Sequence, residues 1–233
     1  MITARQEEIK NWFNKTYSNR GNAYLRPKSA YSILLNHLQP KKGKYLDVAC
    51  GLGRMLSCLD SNTMEAYGID LSDIAIEKAS KNVPEAKLEI GNAETLPYPN
   101  DFFDYISCIG SLERMLDLDQ VLQEQKRVAK KSTSFCFMVR NSKNFTWRIK
   151  NFFGLKNNSG NQTAKDLDQW EAVFKRNGFT IEQKHPDQWI LHRALQIISL
   201  GILRPNPKRK FPRFLPLRLS HEFIFILNLK EDA

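Results

Sequence analysis

The segment YLDVACGLGRML, residues 45–56, places an apolar run directly before two glycines, Gly51 and Gly53. A short apolar run followed by a glycine turn is typical of a buried strand that leads into a helix. Further strand patterns lie at residues 65–72, 86–93, 102–110 and 134–141, and helical patterns separate most of them. This alternation predicts right-handed β–α–β units and a mostly parallel sheet with helices on both faces, so the predicted fold class is α/β and Rossmann-like.

Several elements are expected around this core. Two helices, at residues 4–19 and 28–39, precede the sheet, and a helix at 54–59 follows the glycines. Thr163 is expected to cap a helix that Gly178 ends. The patterns at 179–184 and 221–229 predict an antiparallel hairpin that completes a seven-stranded sheet.

We therefore expect a single domain over residues 1–233. Its predicted parts are N-terminal cap helices in 1–40, a cofactor-binding core in 43–141, and lid-like insertions at 142–163 and 185–220. Insertions of that length inside one domain are usually functional.

Composition limits the partners and the cellular compartment that we expect for this protein. The formal charge of +10 favours an anionic partner. The four cysteines show no CxxC spacing, so we expect reduced thiols in a cytoplasmic setting and no metal site. The polar start MITARQEEIKNWF does not resemble a signal peptide, and no apolar run is long enough to predict a membrane span.

The glycine turn and Asp70 together predict a ligand that contains a nucleoside. In open α/β sheets the ligand lies beyond the carboxyl ends of the strands, where an acidic side chain binds ribose hydroxyls. A dinucleotide fingerprint would need a small residue where Leu56 stands, and the carboxylate of Asp47 disfavours a pyrophosphate. These features and the absence of a Tyr-x-x-x-Lys motif count against a NAD-dependent oxidoreductase, and a cationic ligand fits Asp47 better.

Four motifs in order resemble those of class I S-adenosylmethionine-dependent methyltransferases. They are LDVACGLG, YGIDLSDIAIEKA, GNAETLPYPNDFFDYISCIGSLERMLD and VLQEQKRVAKK, within residues 43–140. The sequence is most similar to the small-molecule group related to quinone-biosynthesis methyltransferases. The resemblance implies S-adenosylmethionine as cofactor and a small-molecule or lipid-like acceptor.

The resemblance also implies roles for individual residues. The methionine part of the cofactor would face Asp47, Ala49, Gly51 and Gly53. The ribose would bind Asp70, the adenine would pack on Leu71, and the adenine edge would meet Asn92 and Ala93. Asn92 departs from the family, which more often has Asp there. Cys108 would border the transferred methyl group.

Candidates for catalysis and for further cofactor contacts lie outside these motifs. Relatives have Glu-His where this chain has Glu113-Arg114; Arg114 either holds a carboxylate or phosphate of the acceptor or is a solvated helix-start residue. His185 is either a general base or an idle surface histidine. The N-terminal residues Tyr17, Tyr24 and Arg26 either reach the cofactor's carboxylate or only pack.

The segment from Gln188 to His221 contains basic residues and no acidic ones. Three interpretations stay open: a substrate lid, a peripheral membrane contact through residues 189–218, or a nucleic-acid contact. The last is disfavoured because no [DNS]-P-P-[FYW] motif follows the fourth strand. The alternative to an enzyme is a non-catalytic protein of the same fold that docks on membrane or RNA through this segment. Nothing in the sequence predicts the oligomeric state.

Overall fold

A computed structural model describes residues 3–144, 163–189, 196, 198, 199 and 217–230. Seven strands form one sheet: β1 (Gly43–Val48), β2 (Met64–Asp70), β3 (Lys87–Ile90), β4 (Phe103–Ile109), β5 (Ala129–Arg140), β6 (Phe179–Pro186) and β7 (Glu222–Leu229). Their order in the sheet is β3-β2-β1-β4-β5-β7-β6. Strand β7 is antiparallel to both neighbours, whereas β1 to β5 are parallel. The predicted fold class and the predicted C-terminal hairpin are confirmed.

Five α-helices belong to the described residues: α1 (Ala4–Arg20), α2 (Lys28–Leu38), α3 (Asp73–Asn82), α4 (Leu118–Val128) and α5 (Leu167–Arg176). Helix α1 begins with a capping box between Thr3 and Gln6, and α3 begins at Ser72, whose hydroxyl accepts the Ala75 N–H. Within the described ranges, no helix is long and apolar enough to cross a membrane.

The prediction of a helix at residues 54–59 is wrong, because the chain forms only a 3-10 turn over Leu56–Cys58. The hydroxyl of Ser57 and the thiol of Cys58 both donate to the carbonyl oxygen of Arg54, at 2.8 and 3.3 Å. Such local side-chain bonds compete with regular helix geometry. Leu59 is already extended, which ends the turn.

The expected Thr163 cap is also wrong. Helix α5 begins after Asp166, whose carboxylate accepts the Gln169 N–H at 3.0 Å in a reciprocal capping box. The backbone N–H of Thr163 instead donates to the carbonyl oxygen of Glu113 at 2.7 Å. This bond joins the segment before α5 to the turn that follows β4.

The core covers both faces of the sheet because side chains alternate along each strand. On β5, Phe135 and Phe137 pack on one face with Trp170 of α5, while Cys136 and Met138 pack on the other with residues of α2. Helices therefore bury both faces, as expected of a doubly wound sheet.

The predicted division of the chain into cap helices, core and insertions stays a prediction. Most of the two predicted insertions, residues 145–162 and 200–216 in particular, lies outside the described residues.

Candidate functional site

The candidate site lies at the carboxyl ends of the central strands. Strand β1 has β2 on one side and β4 on the other, so chain connections diverge there in opposite directions. In open α/β sheets this reversal leaves a crevice in which ligands bind. The glycine turn follows β1, and Asp70 is the last residue of β2.

Asp70 fastens the glycine turn. Its Oδ2 accepts the Gly51 N–H at 2.8 Å, and its Oδ1 accepts the Ser72 N–H at 2.9 Å. The turn has positive φ angles at Ala49 (57°), Gly51 (53°) and Gly53 (73°). Only glycine adopts this conformation readily, so Ala49 carries backbone strain of the kind found at functional sites. No pattern in the sequence predicts that strain.

The two glycines serve different contacts. A Cβ on Gly51 would lie 2.9 Å from the Tyr17 hydroxyl, so the turn passes directly beneath α1. A Cβ on Gly53 would lie 2.7 Å from a methyl group of Val83, which follows α3. Gly53 thus allows the turn to pack closely beside α3, and it does not line the cavities described next.

A first cavity, with an empty volume of about 660 Å³ that includes open solvent, lies between α1 and the ends of β2 and β3. Its lining includes the predicted site residues Tyr17, Ala49, Asp70, Leu71, Asn92 and Ala93. Asn92 is held beside the cavity because its Oδ1 accepts the Glu94 N–H at 3.0 Å. The structure therefore brings together predicted site residues from distant parts of the chain, from Tyr17 on α1 to Ala93 after β3.

A second cavity of about 860 Å³, again including open solvent, extends over the ends of β1, β4 and β5. It is lined by the predicted residues Tyr17, Tyr24, Arg26, Asp47, Ala49, Gly51 and Arg114, and by Tyr31, Cys50, Ile109, Gly110, Ser111, Met138 and Arg140 among others. Five residues line both cavities: Phe13, Tyr17, Ala49, Ser111 and Arg114. The two cavities are therefore adjoining halves of one cleft.

Two buried carboxyl groups give the cleft its electrostatic character. Burial raises the pKa of Asp47 to about 7, although a 2.6 Å hydrogen bond from the Ser107 hydroxyl opposes the rise. Burial raises the pKa of Asp70 to about 6, against the two backbone N–H donors. An ionised carboxylate is costly in such surroundings, and a positively charged ligand would offset that cost.

Glu113 is fully buried and does not line either cavity. Burial raises the pKa of its carboxyl group, and Arg140 Nε lies 3.9 Å from its Oε1. Neither carboxyl oxygen has a hydrogen-bond partner among the residues that the structure describes. Glu113 is therefore next to Arg140, on the side away from the second cavity that Arg140 lines. Arg140 is one of the residues that the sequence analysis did not single out.

Arg114 lines both cavities and packs against α1. Its guanidinium carbon lies 5.4 Å from the centre of the Phe13 ring and 6.0 Å from that of Trp12. Cation–π contacts of this kind orient a guanidinium group.

Arg26 joins distant parts of the chain at the wall of the second cavity. Its Nη1 donates to Asp187 Oδ1 at 3.0 Å, and its Nη2 donates to Glu222 Oε2. The two carboxylates are 4% and 8% exposed. Arg26 thus forms ion pairs with two buried carboxylates in addition to lining the cavity.

Besides Gly53 and Glu113, the predicted residues Cys108 and His185 lie away from the described cleft lining. Cys108 is fully buried in the core cluster that contains Leu46 and Val48. His185 lies on the edge strand β6, where its ring stacks on His37 with ring centres 3.8 Å apart. Neither residue contacts either cavity.

Cys50, Cys58, Cys108 and Cys136 are free thiols in the structure. A search of the described part of the chain finds no group of three or more potential metal ligands.

Residues 46–137 match a family model described as a methyltransferase domain. A protein of Methanocaldococcus jannaschii named as uncharacterised is 37% identical over 107 residues, which cover 46% of this chain and 40% of that protein. A demethylmenaquinone methyltransferase of Lysinibacillus sphaericus is 36% identical over 103 residues, or 41% and 44% of the two chains. This chain spans about half the length of the curated relatives it matches.

Solved structures share the fold over most of the chain. The geranyl diphosphate C-methyltransferase of Streptomyces coelicolor, crystallised with S-adenosyl-L-homocysteine, superposes with a TM-score of 0.70 at 12% identity, covering 97% of this chain and 98% of that chain. The sequence relatives, the sheet order and the turn closed by Asp70 agree with one another. By this match and by its fold, the chain resembles the class I S-adenosylmethionine-dependent methyltransferases, and in sequence it is similar to demethylmenaquinone methyltransferases.

Proposed function

We propose that this protein transfers a methyl group from S-adenosylmethionine to a small-molecule acceptor. The observation that carries the proposal is the glycine turn closed by Asp70, which opens onto two adjoining cavities. One cavity would hold the adenosine half of the cofactor. The other would hold its methionine half and the acceptor.

The residues present suit this cofactor. Asp70 ends β2 at the first cavity, where its carboxylate would accept both ribose hydroxyls, and Asn92 and Ala93 lie where the adenine edge would be. Gly51 lets the turn pass directly beneath Tyr17, since a Cβ there would lie 2.9 Å from the Tyr17 hydroxyl. Asp47 supplies a buried acidic group at the second cavity, which would favour a cationic sulfur over a neutral one.

When bound, S-adenosylmethionine supplies a methyl group on a positively charged sulfur, and the nucleophile displaces that sulfur in line. The tasks left to the protein are alignment and the exclusion of water. Phe13 and Tyr17 of α1 line both cavities and would cover the reactants from above. Ile109 to Ser111 would border the acceptor, which moves the role expected of Cys108 to its neighbours.

The acceptor itself is proposed by similarity. Relatives are named as demethylmenaquinone methyltransferases, and a fold neighbour is named for geranyl diphosphate, so a small or lipid-like molecule is the acceptor class that we propose. The peripheral membrane contact through residues 189–218 stays part of this proposal, and almost all of those residues lie outside the described ranges.

Calorimetric titration of the purified protein with S-adenosylmethionine, S-adenosylhomocysteine and NAD tests the proposal. We expect binding of both adenosyl ligands and none of NAD. Asp70→Asn should abolish adenosyl binding, whereas Asp168→Asn, an exposed acidic residue on α5 paired with Arg218, should leave it unchanged. Failure of both adenosyl ligands to bind would refute the methyltransferase proposal.

A further inference from the structure

We infer that the hydrogen bond between Gln6 and Glu94 is a clasp that holds helix α1 over the nucleoside end of the cleft. Opening this clasp would then limit how fast the cofactor enters and leaves the protein. The inference rests on the proposed function, because the ligand that the clasp retains is the cofactor. Neither residue is among those predicted from the sequence, so both are further positioning residues of the same site.

One face of α1 lies along the first cavity. Four residues of the helix line it at a spacing of three or four positions: Gln6, Ile9, Phe13 and Tyr17. Such a spacing places side chains on one side of a helix. The opposite wall contains Asp70, at the end of β2, and residues 91–94, which follow β3. A nucleoside between these walls would therefore lie beneath the helix.

The two residues of the clasp meet at this cavity. Gln6 Nε2 donates to Glu94 Oε2 at 2.7 Å, and both side chains belong to the cavity lining. Gln6 is only 5% exposed, so little water competes for its amide group. Hydrogen bonds to a carboxylate are stronger than those between neutral groups. The bond therefore closes the gap between the first turn of α1 and the segment after β3.

Both partners of the clasp are oriented by other hydrogen bonds. Gln6 Oε1 accepts the Thr3 N–H at 2.7 Å in the capping box, which directs Nε2 toward Glu94. Glu94 Oε1 accepts the N–H of Asp117, the residue that caps α4, at 3.2 Å. The backbone N–H of Glu94 donates to Asn92 Oδ1 at 3.0 Å. The clasp thus joins α1 to a part of the core that is fixed independently of α1.

The second half of α1 is attached more firmly than the first turn. Asn14 Oδ1 accepts the Ser72 hydroxyl at 2.5 Å, and Lys78 Nζ donates to the carbonyl oxygen of Tyr17 at 2.7 Å. Aromatic residues of this half also pack on apolar residues of the glycine turn and of α3. Water can replace a lost hydrogen bond but not buried apolar contacts. The start of α1 can therefore move while its second half stays in place, once the clasp has opened.

The test compares exchange rates of two ligands on the full chain. Stopped-flow fluorescence measures the association and dissociation rates of S-adenosylhomocysteine and 5′-methylthioadenosine. Both ligands carry the nucleoside, and the second lacks the amino-acid part. Because the clasp lies at the nucleoside end, its loss should change the rates of both ligands.

Two substitutions and their combination open and restore the clasp. Gln6→Glu keeps an oxygen for the Thr3 N–H and so preserves the capping box, but it places a second carboxylate beside Glu94. Glu94→Gln alone keeps an oxygen that can accept from Gln6. The double variant exchanges donor and acceptor and so restores the hydrogen bond. Glu8→Gln is the control, because Glu8 lies on the exposed face of α1 and pairs with Arg5.

We expect Gln6→Glu to raise the dissociation rates of both ligands about tenfold, the scale of one lost hydrogen bond to a charged group. Their association rates should rise as well, because the start of α1 no longer has to be released first. Glu94→Gln should have a smaller effect. The double variant should return close to the wild-type rates, and Glu8→Gln should not differ from the wild type.

Three results would overturn the inference alone. The first is a lower melting temperature of Gln6→Glu with unchanged exchange rates, which would make the bond purely structural. The second is a double variant whose two effects simply add. The third is faster dissociation with unchanged association, which would assign the two residues to direct contact with the nucleoside. Failure of S-adenosylhomocysteine to bind the wild type would overturn the proposed function together with the inference.

Discussion

The hydroxyl group of Tyr17 lies 2.9 Å from the position that a Cβ on Gly51 would occupy. Helix α1 and the turn after β1 therefore approach each other as closely as a glycine permits. This contact joins the N-terminal helix to the floor of the cleft.

Gly51→Ala should destabilise the protein and weaken cofactor binding. The positive φ alone costs an alanine about 1–2 kcal/mol, and the contact with Tyr17 adds to that cost. Gly110→Ala is the control, because Gly110 also has a positive φ, 68°, but the nearest atom to its added Cβ is a Met138 methyl carbon at 3.8 Å, an ordinary contact distance. Thermal unfolding should show the larger loss for Gly51→Ala.

Adding Tyr17→Phe to Gly51→Ala isolates the steric part of that loss. Without the hydroxyl, the nearest ring atom would be 3.6 Å from the Cβ, an ordinary contact distance. We expect the double variant to recover stability relative to Gly51→Ala, and a double-mutant cycle measures the coupling. Strict additivity would show that the two residues do not interact.

Asp47→Asn should stabilise the ligand-free protein at pH 8. The pKa of Asp47 is about 7 in the folded state and near 4 in the unfolded state, so folding favours the protonated form. The contribution of Asp47 to the free energy of unfolding is therefore fully present below pH 4 and is lost as the pH rises through 7. An asparagine mimics the protonated acid, so its advantage should grow from pH 4 to pH 8.

Differential scanning calorimetry across this pH range checks the prediction. Each kcal/mol of change in the free energy of unfolding should shift the melting temperature by roughly 2–4 °C. Asp104→Asn provides a control of opposite sign. Burial alone would raise the pKa of Asp104, but hydrogen bonds from Lys130 and the Lys44 N–H lower it. That variant should lose stability at pH 8, and a similar response of both variants would contradict the assignment.

The affinity for S-adenosylmethionine should rise between pH 5.5 and 7.5. Binding of a sulfonium ion favours the ionised forms of Asp47 and Asp70, whose pKa values are about 7 and 6 in the free protein, so binding releases protons. We expect the affinity to rise about tenfold over this pH range. For each proton released on binding, the affinity changes by a factor of ten per pH unit below the pKa of the group.

S-adenosylhomocysteine should show a weaker pH dependence, because its sulfur is uncharged. Titrations in two buffers with different heats of ionisation count the protons released by each ligand. Equal counts for the two ligands would mean that the sulfonium charge does not interact with these carboxylates.

Arg26→Gln should be strongly destabilising, by about 3–5 kcal/mol, because it leaves buried carboxylates without their partner. Urea denaturation measures the loss, and Glu222→Gln in the same chain should recover part of it. Arg218→Gln is the control: its ion pair with Asp168 is exposed on both sides, and such pairs contribute about 0–1 kcal/mol. A small effect of Arg26→Gln would show that the buried pair is solvated.

The half of the site that would hold the nucleoside could be predicted from the sequence because its signals are local. Gly51 and Asp70 are required by the geometry of two adjacent strand ends, and spacing along the chain reveals both. Arg140 could not be predicted in the same way, since it reaches the cleft through the pairing of β4 with β5. The same limit applies to Tyr31, which α2 brings to the second cavity.

The differences between the sequence-based expectations and the structure have equally specific causes. The role of Cys108 beside the methyl group stays a prediction, but side chains alternate along β4, so Ser107 contacts Asp47 and Cys108 packs in the core. The helix expected after Gly53 was wrong because Ser57 and Cys58 bond to a local carbonyl oxygen. His185 is a candidate base because Asp187 follows it two residues on; that role stays a prediction, and its strand β6 lies at the outer edge of the sheet.

The ion pairs of Arg26 have a consequence for synthesis of the protein on the ribosome. Arg26 is made early, whereas Asp187 and Glu222 are made 161 and 196 residues later. Strand β7 then has to enter between β5 and β6 before Glu222 can meet the arginine. The nascent chain therefore cannot complete these ion pairs at the wall of the second cavity until Glu222 has left the exit tunnel.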